Sequence, residues 1–151
     1  MTNLYVIIGE QNTRKSSTVR ALSGFHQRGS NQTKPHYIAL TNGNTEDFYI
    51  EPTSLQEKRI NSKDLINKAK HYNNALICLR ENSFNNLPDY YSYLNDFITA
   101  GWNIKGLAVL GASNLQKGIP ISSISPIYET NTINIASNEI AHRIRNSWNW
   151  L

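Results

Sequence analysis

The residues with the clearest chemical potential lie near the N-terminus, where a short apolar run gives way to a polar segment. Gly9 ends the apolar run, and the sequence Arg14-Lys15-Ser16-Ser17 follows it, with two cationic side chains and two hydroxyl groups. The pattern predicts that a helix begins near these residues. The N-terminus of a helix carries a partial positive charge and unpaired N–H groups, which attract anions such as phosphate. A plainer interpretation is a strand-to-helix turn in which Ser16 only caps the helix.

The spacing of these residues resembles the phosphate-binding loop of the P-loop NTPase superfamily. That pattern is a glycine, four free positions, then glycine, lysine and serine or threonine. Gly9, Lys15 and Ser16 stand at the required positions, whereas Arg14 stands where the pattern has its second glycine. The context also matches, because an apolar strand precedes the loop and a helix opens at the lysine. The resemblance is strong over residues 4–25 and only topological over the rest of the chain.

The resemblance implies a site for ATP or GTP with Mg²⁺. By it, Gly9 lets the chain turn sharply out of the strand, and backbone N–H groups between Asn12 and Ser16 face the phosphates. Lys15 reaches the β- and γ-phosphates, and the Ser16 hydroxyl ligates the metal. The nucleotide-binding set that follows is Gly9, Asn12, Thr13, Arg14, Lys15, Ser16 and Ser17, with Lys15 also catalytic.

Arg14 has two interpretations. The glycine of the pattern tolerates backbone angles that a side chain resists, and it leaves room for the nucleotide. Arg14 can adopt those angles at modest cost and add a charge that faces phosphate. Alternatively, its side chain fills the loop and leaves a scaffold that binds no nucleotide.

The position of a second acidic group is less regular. P-loop enzymes usually place an acid after the third apolar strand, where it holds Mg²⁺ through water. Here Arg80 occupies that place and Glu81 follows it, so Glu81 is the candidate catalytic acid. Adjacent residues of a strand point to opposite faces, but the backbone can rotate at a strand end. A solvated surface group explains Glu81 equally well. Glu46, Asp47 and Glu51 are alternative acids, although each of these three taken alone is better explained as a surface group.

Length and composition indicate one domain over residues 1–151. Hydrophobic residues make up 39% of the chain, which is enough for a core, and the net charge of +4 favours phosphates of a nucleotide or of nucleic acid. The single cysteine, Cys78, excludes an internal disulfide and a cysteine-rich zinc site. With no basic leader and no long apolar segment, we expect a cytoplasmic protein without a membrane partner.

Apolar runs alternate with amphipathic stretches about five times. This alternation predicts an α/β fold, a three-layer domain with a mostly parallel, five-stranded sheet like that of P-loop NTPases. The predicted strands are Leu4–Ile8, His36–Leu40 (continued as a hairpin by Phe48–Ile50), Ala75–Leu79, Gly106–Leu110 and Thr132–Ile135. The predicted helices are Ser16–Phe25, Ser62–Tyr72, one from Pro88 to Gly101 and one from Ser137 onward. Residues 116–130 are predicted to form a long loop.

The last helix mixes arginines with Trp148 and Trp150. Basic groups beside aromatic rings can bind single-stranded nucleic acid, although the apolar stripe of this helix favours core packing. Trp150 and Leu151 could instead contact a partner protein. The sequence thus predicts a nucleotide-binding P-loop protein, with a weak NTPase and a small phosphotransferase as the candidate activities. The alternative is a non-catalytic protein of the same fold that acts as a protein-interaction module.

Overall fold

The computed structural model describes residues 1–24 and 35–151, which form an α/β fold with one sheet between two helix layers. The strands of this part are β1 (Asn3–Ile8), β2 (His36–Ala39), β3 (Thr45–Ser54), β4 (Asn74–Leu79), β5 (Asn103–Leu110) and β6 (Ile127–Glu129). Its helices are α1 (Lys15–Ser23), α2 (Ser62–Ala69), α3 (Tyr90–Thr99) and α4 (Ser137–Trp148). The strand order is β2-β3-β4-β1-β5-β6, and only the β2–β3 pair is antiparallel.

Strand β1 is apolar throughout because both of its faces are covered. Leu4, Val6 and Ile8 pack in the core that α2 and α3 complete. Tyr5 and Ile7 pack in the core that α1 and α4 complete, on the opposite face. A parallel strand that is buried on both faces needs a continuous apolar run. The sheet therefore separates two cores, and β1 contributes to both.

The helices α2 and α3 begin at capped residues. The side chain of Asn61 accepts a hydrogen bond from the Asp64 amide, and the side chain of Asp89 accepts one from the Ser92 amide. Helix α2 begins at Ser62, as predicted, and ends at Ala69 rather than at Tyr72. Helix α1 ends at Gly24, whose φ of 70° suits glycine. The predicted end of this helix, Phe25, lies outside the described residues.

The structure corrects the predicted sheet in two places. The sheet of the described part has six strands rather than five, because Phe48–Ile50 belongs to a full strand, β3, that pairs with both β2 and β4. The strand predicted at Thr132–Ile135 is wrong, since these residues form a turn in which Ile133 is 74% exposed. The edge strand β6 lies instead in the predicted loop 116–130. It has only three residues, and its pairing with β5 defines it.

The connections of the chain place a topological switch point at the carboxyl ends of β1 and β4, and we call the region between these two strand ends the crevice. Strand β1 leads into α1 on one face, whereas its neighbour β4 leads into α3 on the other face. The chain therefore leaves the carboxyl ends of β1 and β4 in opposite directions. In open α/β sheets, ligands bind at such topological switch points.

The C-terminal tryptophans belong to the core. Trp148 and Trp150 are 8% and 2% exposed, and Trp150 packs against Tyr5 and Phe48 with ring centroids 4.9 Å and 5.1 Å away. The expected roles of these two rings in stacking on nucleic acid and of Trp150 in binding a partner are therefore not supported by their burial. Leu151 is 70% exposed. No described helix has both the length and the apolar character that crossing a bilayer requires.

The burial of Trp150 leads to a first prediction. We expect Trp150→Ala to lower the free energy of unfolding by about 3–5 kcal/mol, because it leaves a cavity beside Tyr5 and Phe48. Urea unfolding followed by circular dichroism measures this change. The exposed neighbour supplies the control, since Leu151→Ala should shift stability by no more than about 0.5 kcal/mol. Equal effects of the two substitutions would contradict the described packing.

Candidate functional site

The loop between β1 and α1 contains two residues with a left-handed backbone conformation. Asn12 has φ of 65°, and Arg14, the N-cap residue of α1, has φ of 67° and ψ of 31°. No side chain caps the helix. The N–H groups of Lys15, Ser16 and Ser17 in the first turn thus have no partner within the helix. The loop presents them at the carboxyl edge of the sheet.

Arg14 takes up a backbone conformation that glycine adopts freely. A left-handed residue with a side chain costs about 1–2 kcal/mol, a small fraction of a typical folding free energy. Its side chain is exposed, and Nη2 donates a hydrogen bond of 3.0 Å to the carbonyl oxygen of Ile133. The guanidinium is thus held by the turn before α4 and does not fold into the loop. The side chain therefore does not fill the loop, which is open in this sense, and the expectation that its charge faces a phosphate there is not supported either.

Ser16 and Ser17 do not cap the helix. Ser16 is the second residue of α1, and its hydroxyl donates to the carbonyl oxygen of Pro52 at 2.8 Å. That carbonyl is free to accept because the pairing of β3 with β4 is interrupted between Ile50 and Ser54. Ser17 is exposed in the first turn of the helix. The interpretation of Ser16 as a cap is therefore wrong.

Thr13 closes the loop against two glycines. Its hydroxyl donates to the carbonyl oxygen of Glu10 at 2.7 Å. A methyl group on Gly9 would overlap Thr13 Oγ1, and one on Gly111 would lie 2.6 Å from Thr13 Cγ2. Gly111 directly follows β5, which adjoins β1, so the loop rests on both strand ends. The position of Gly111 directly after a predicted apolar strand is the signal in the sequence that could have identified it.

Lys15 is a buried cation that turns back along its own loop. Its side chain is largely enclosed, with the residue 7% exposed, and Nζ donates to the carbonyl oxygen of Glu10 at 2.8 Å. Burial lowers the pKa of Lys15, and the nearby charge of Arg80 lowers it further, while Glu57 and Glu10 act in the opposite direction. A buried ammonium with one carbonyl partner is poorly compensated for its lost hydration. An anion bound at the loop would compensate it.

Glu10 connects the loop to the neighbouring strand. Its carboxylate accepts hydrogen bonds from Arg80 Nε at 3.3 Å and from Asn82, at 3.2 Å from the backbone amide and 2.7 Å from Nδ2. Its backbone carbonyl also accepts hydrogen bonds from Thr13 and Lys15, so Glu10 connects the loop to the end of β4. Sequence reasoning missed this residue, because it occupies a free position of the pattern and its partners lie 70 and 72 residues away.

Arg80 is firmly positioned at the end of β4. Its backbone is held by the buried Gln56, whose Oε1 accepts from the Arg80 amide at 3.0 Å and whose Nε2 donates to the Arg80 carbonyl at 3.1 Å. Its guanidinium carbon lies 4.0 Å from the ring centroid of Phe84. Besides Glu10, Glu57 lies 3.8 Å from the guanidinium. Arg80 therefore brings a fixed cation to the crevice.

Glu81 and the alternative acids are engaged elsewhere. Glu81 Oε2 accepts from the backbone amide of Gln116 at 2.8 Å, in the segment that follows β5. Glu46 and Asp47 bond to Asn74 and Asn73 at the amino-terminal start of β4, the opposite end of the sheet from the loop. These contacts give all three carboxylates structural partners.

Two further buried groups have structural explanations. Glu51 is paired with Lys58 at 2.8 Å and accepts a hydrogen bond from Tyr49, and burial together with this carboxylate raises the pKa of Tyr49. Burial raises the pKa of the Cys78 thiol to about 12, which leaves it protonated and unreactive at neutral pH.

The residues around the loop do not fit the metal arrangement that the resemblance implies. Ser16 supplies a hydroxyl, but the position expected for an acid carries the guanidinium of Arg80, which repels Mg²⁺. Within residues 1–24 and 35–151, no three His, Cys, Asp or Glu side chains group as a metal site would require. The site therefore offers cations and N–H donors to an anion, and few ligands to a metal.

Comparison with known protein families, curated proteins and solved structures finds no match to this chain. The function of the chain is therefore inferred from the geometry of the loop between β1 and α1 and of the neighbouring end of β4.

The left-handed conformation of Arg14 leads to a second prediction. Glycine at an ordinary position is less favourable than alanine, because it loses more backbone entropy on folding. At a left-handed position the order reverses, so we expect Arg14→Gly to be more stable than Arg14→Ala by about 1 kcal/mol. Both variants lose the bond to Ile133, so the comparison isolates the backbone term. Chemical denaturation measures the difference, and an alanine variant of equal or greater stability would argue against this conformation.

Proposed function

We propose that the chain binds the phosphates of a nucleotide, ATP or GTP, in a loop of the P-loop type between β1 and α1. The observation that carries the proposal is the open loop. Arg14 supplies the left-handed backbone that the pattern assigns to glycine, and its side chain lies outside the loop. Unpaired N–H groups of the first turn of α1 are thus available to phosphate oxygens.

The buried ammonium of Lys15 supports the same proposal. Burial of this cation is unfavourable in the ligand-free protein, because a single carbonyl oxygen of Glu10 replaces its hydration. A methionine at this position would fill the same space without that cost. A phosphate group would make a charge-assisted hydrogen bond with Lys15, which is about twice as strong as a neutral one. The residue is thus better suited to binding than to stability.

The position of the loop in the fold also supports nucleotide binding. It lies beside the crevice between β1 and β4, where the helices leave to opposite faces of the sheet. Ligands of open α/β sheets bind in this place for a geometric reason, since the diverging connections leave space there. Weak hydrolysis or phosphoryl transfer would extend the proposal, and it would require a base. Glu10 and Glu57 are carboxylates close to the loop, and both contact Arg80.

The alternative of a pure interaction module receives less support. That interpretation expected the Arg14 side chain inside the loop and partner contacts from Trp150 and Leu151. Arg14 instead bonds to Ile133 and Trp150 is buried among aromatic rings, whereas Leu151 is exposed.

The proposal leads to a third prediction, on ligand-induced stabilisation. In thermal unfolding with millimolar ATP or GTP and Mg²⁺, a nucleotide present at about 100 times its dissociation constant should add about 2.7 kcal/mol, a shift of several degrees. We expect the shift to vanish in Lys15→Met, which removes the charge but retains the length of the side chain. The ligand-free stability of this variant should not fall, because the buried charge is gone.

A matched lysine controls for nonspecific charge effects. Lys105 is exposed and lies near the start of β5, at the opposite end of the sheet. Lys105→Met should therefore retain the full shift. The absence of a shift in the wild-type protein with either nucleotide, or an equal shift in Lys15→Met, would count against the proposed function.

A further inference from the structure

Arg80 lies at the point where the loop and the neighbouring strand meet. Strands β1 and β4 run in parallel with Ile8 opposite Leu79, so the next residues, Gly9 and Arg80, leave the two strands at the same level. The Gly9 amide extends this pairing by donating to the Leu79 carbonyl at 3.0 Å. The Arg80 side chain then reaches across the crevice to Glu10. Its proximity to the loop follows from strand register.

The guanidinium of Arg80 is preorganised for binding an anion. It is held by the ring of Phe84 and by two carboxylates, and its side chain is 15% exposed. Guanidinium groups bind phosphate through two parallel N–H···O hydrogen bonds, which gives both strength and orientation. Because the Arg80 charge also lowers the pKa of Lys15, the two cations act on a shared region.

Glu10 contacts both cations in the ligand-free protein, one through its backbone and the other through its carboxylate. Its backbone carbonyl accepts from Lys15, and its carboxylate accepts from Arg80. The Glu10 carboxylate is about one-third exposed, so an incoming phosphate can compete with it from solvent. Such an exchange would transfer Arg80 from a carboxylate to a phosphate, and the Glu10 carboxylate would keep its two hydrogen bonds from Asn82.

Mg²⁺ normally supplies positive charge to bound phosphates and is held through one or two carboxylates. At this site the carboxylates beside the loop, Glu10 and Glu57, are paired with Arg80. We propose that Arg80 is a third positive group that binds phosphate, beside Lys15 and the partial charge of the α1 N-terminus. We also propose that phosphate binding at this loop does not require Mg²⁺. This inference depends on the proposed function, because it names the residue and the charge balance of the same site.

The inference leads to a fourth prediction, tested by isothermal titration calorimetry with ATP, GTP and inorganic triphosphate. We expect the wild-type dissociation constants in EDTA and in Mg²⁺ to agree within about threefold, since the carboxylates that would hold the metal are paired with Arg80. In EDTA, Arg80→Gln should weaken binding by about tenfold or more, the usual effect of losing a hydrogen bond to a charged group. Arg80→Lys should fall between them, because it keeps the charge and loses the bidentate geometry.

Arg143→Gln is the matched control. Arg143 pairs with Glu129 and Glu139 on the α4 side of the sheet, so its loss removes a charge without touching the loop. Binding by this variant should equal that of wild type. Circular dichroism and urea unfolding check that each variant is folded. If a variant does not fold, the comparison of wild-type binding in EDTA and in Mg²⁺ still tests the inference.

The outcomes separate the two proposals. If none of the three compounds binds with or without Mg²⁺, the proposed function itself fails. If they bind only with Mg²⁺, or if Arg80→Gln binds like wild type in EDTA, the inference about Arg80 is overturned while the proposed function stands. Metal-independent binding that weakens in Arg80→Gln supports both.

Discussion

The parallel pairing of β1 with β4 on one side and β5 on the other is the constraint on which the candidate site depends. Ile8 lies opposite both Leu79 and Val109, so the three strands end at nearly the same level. Hydrogen bonding between the strands fixes this register, and burial on both faces of β1 prevents a slip. The loop, Arg80 and Gly111 come together because these three strands end together.

The sequence predicts those parts of the site that depend on residues close together in the chain, and it does not predict those that depend on strand order. Strand β1, the loop and α1 are contiguous, and an apolar run, a glycine and a helix-opening lysine identify them. The contact between Glu10 and Arg80 spans 70 residues and requires the strand order, which apolar runs alone do not supply. Strand β6 could not be found for a similar reason, because three residues carry no periodicity and pairing with β5 alone defines them.

The conformation of Arg14 shows that the second glycine of the P-loop pattern has two separate functions. Glycine permits a left-handed backbone, and it leaves space for a ligand. Arg14 meets the first requirement at an energetic cost and the second by directing its side chain towards Ile133. Sequence alone could not decide between an open and a filled loop, since the direction of the side chain depends on a turn more than a hundred residues away.

The central position of β1 affects how fast its backbone amide hydrogens exchange with solvent. Amide hydrogens of a strand that is paired on both edges and covered on both faces exchange with solvent only when large parts of a protein open. The first turn of α1 has no side-chain cap and an unpaired set of N–H groups, so its amides exchange through small local openings. We therefore expect the loop to join a strand whose amides exchange slowly to a helix turn whose amides exchange quickly.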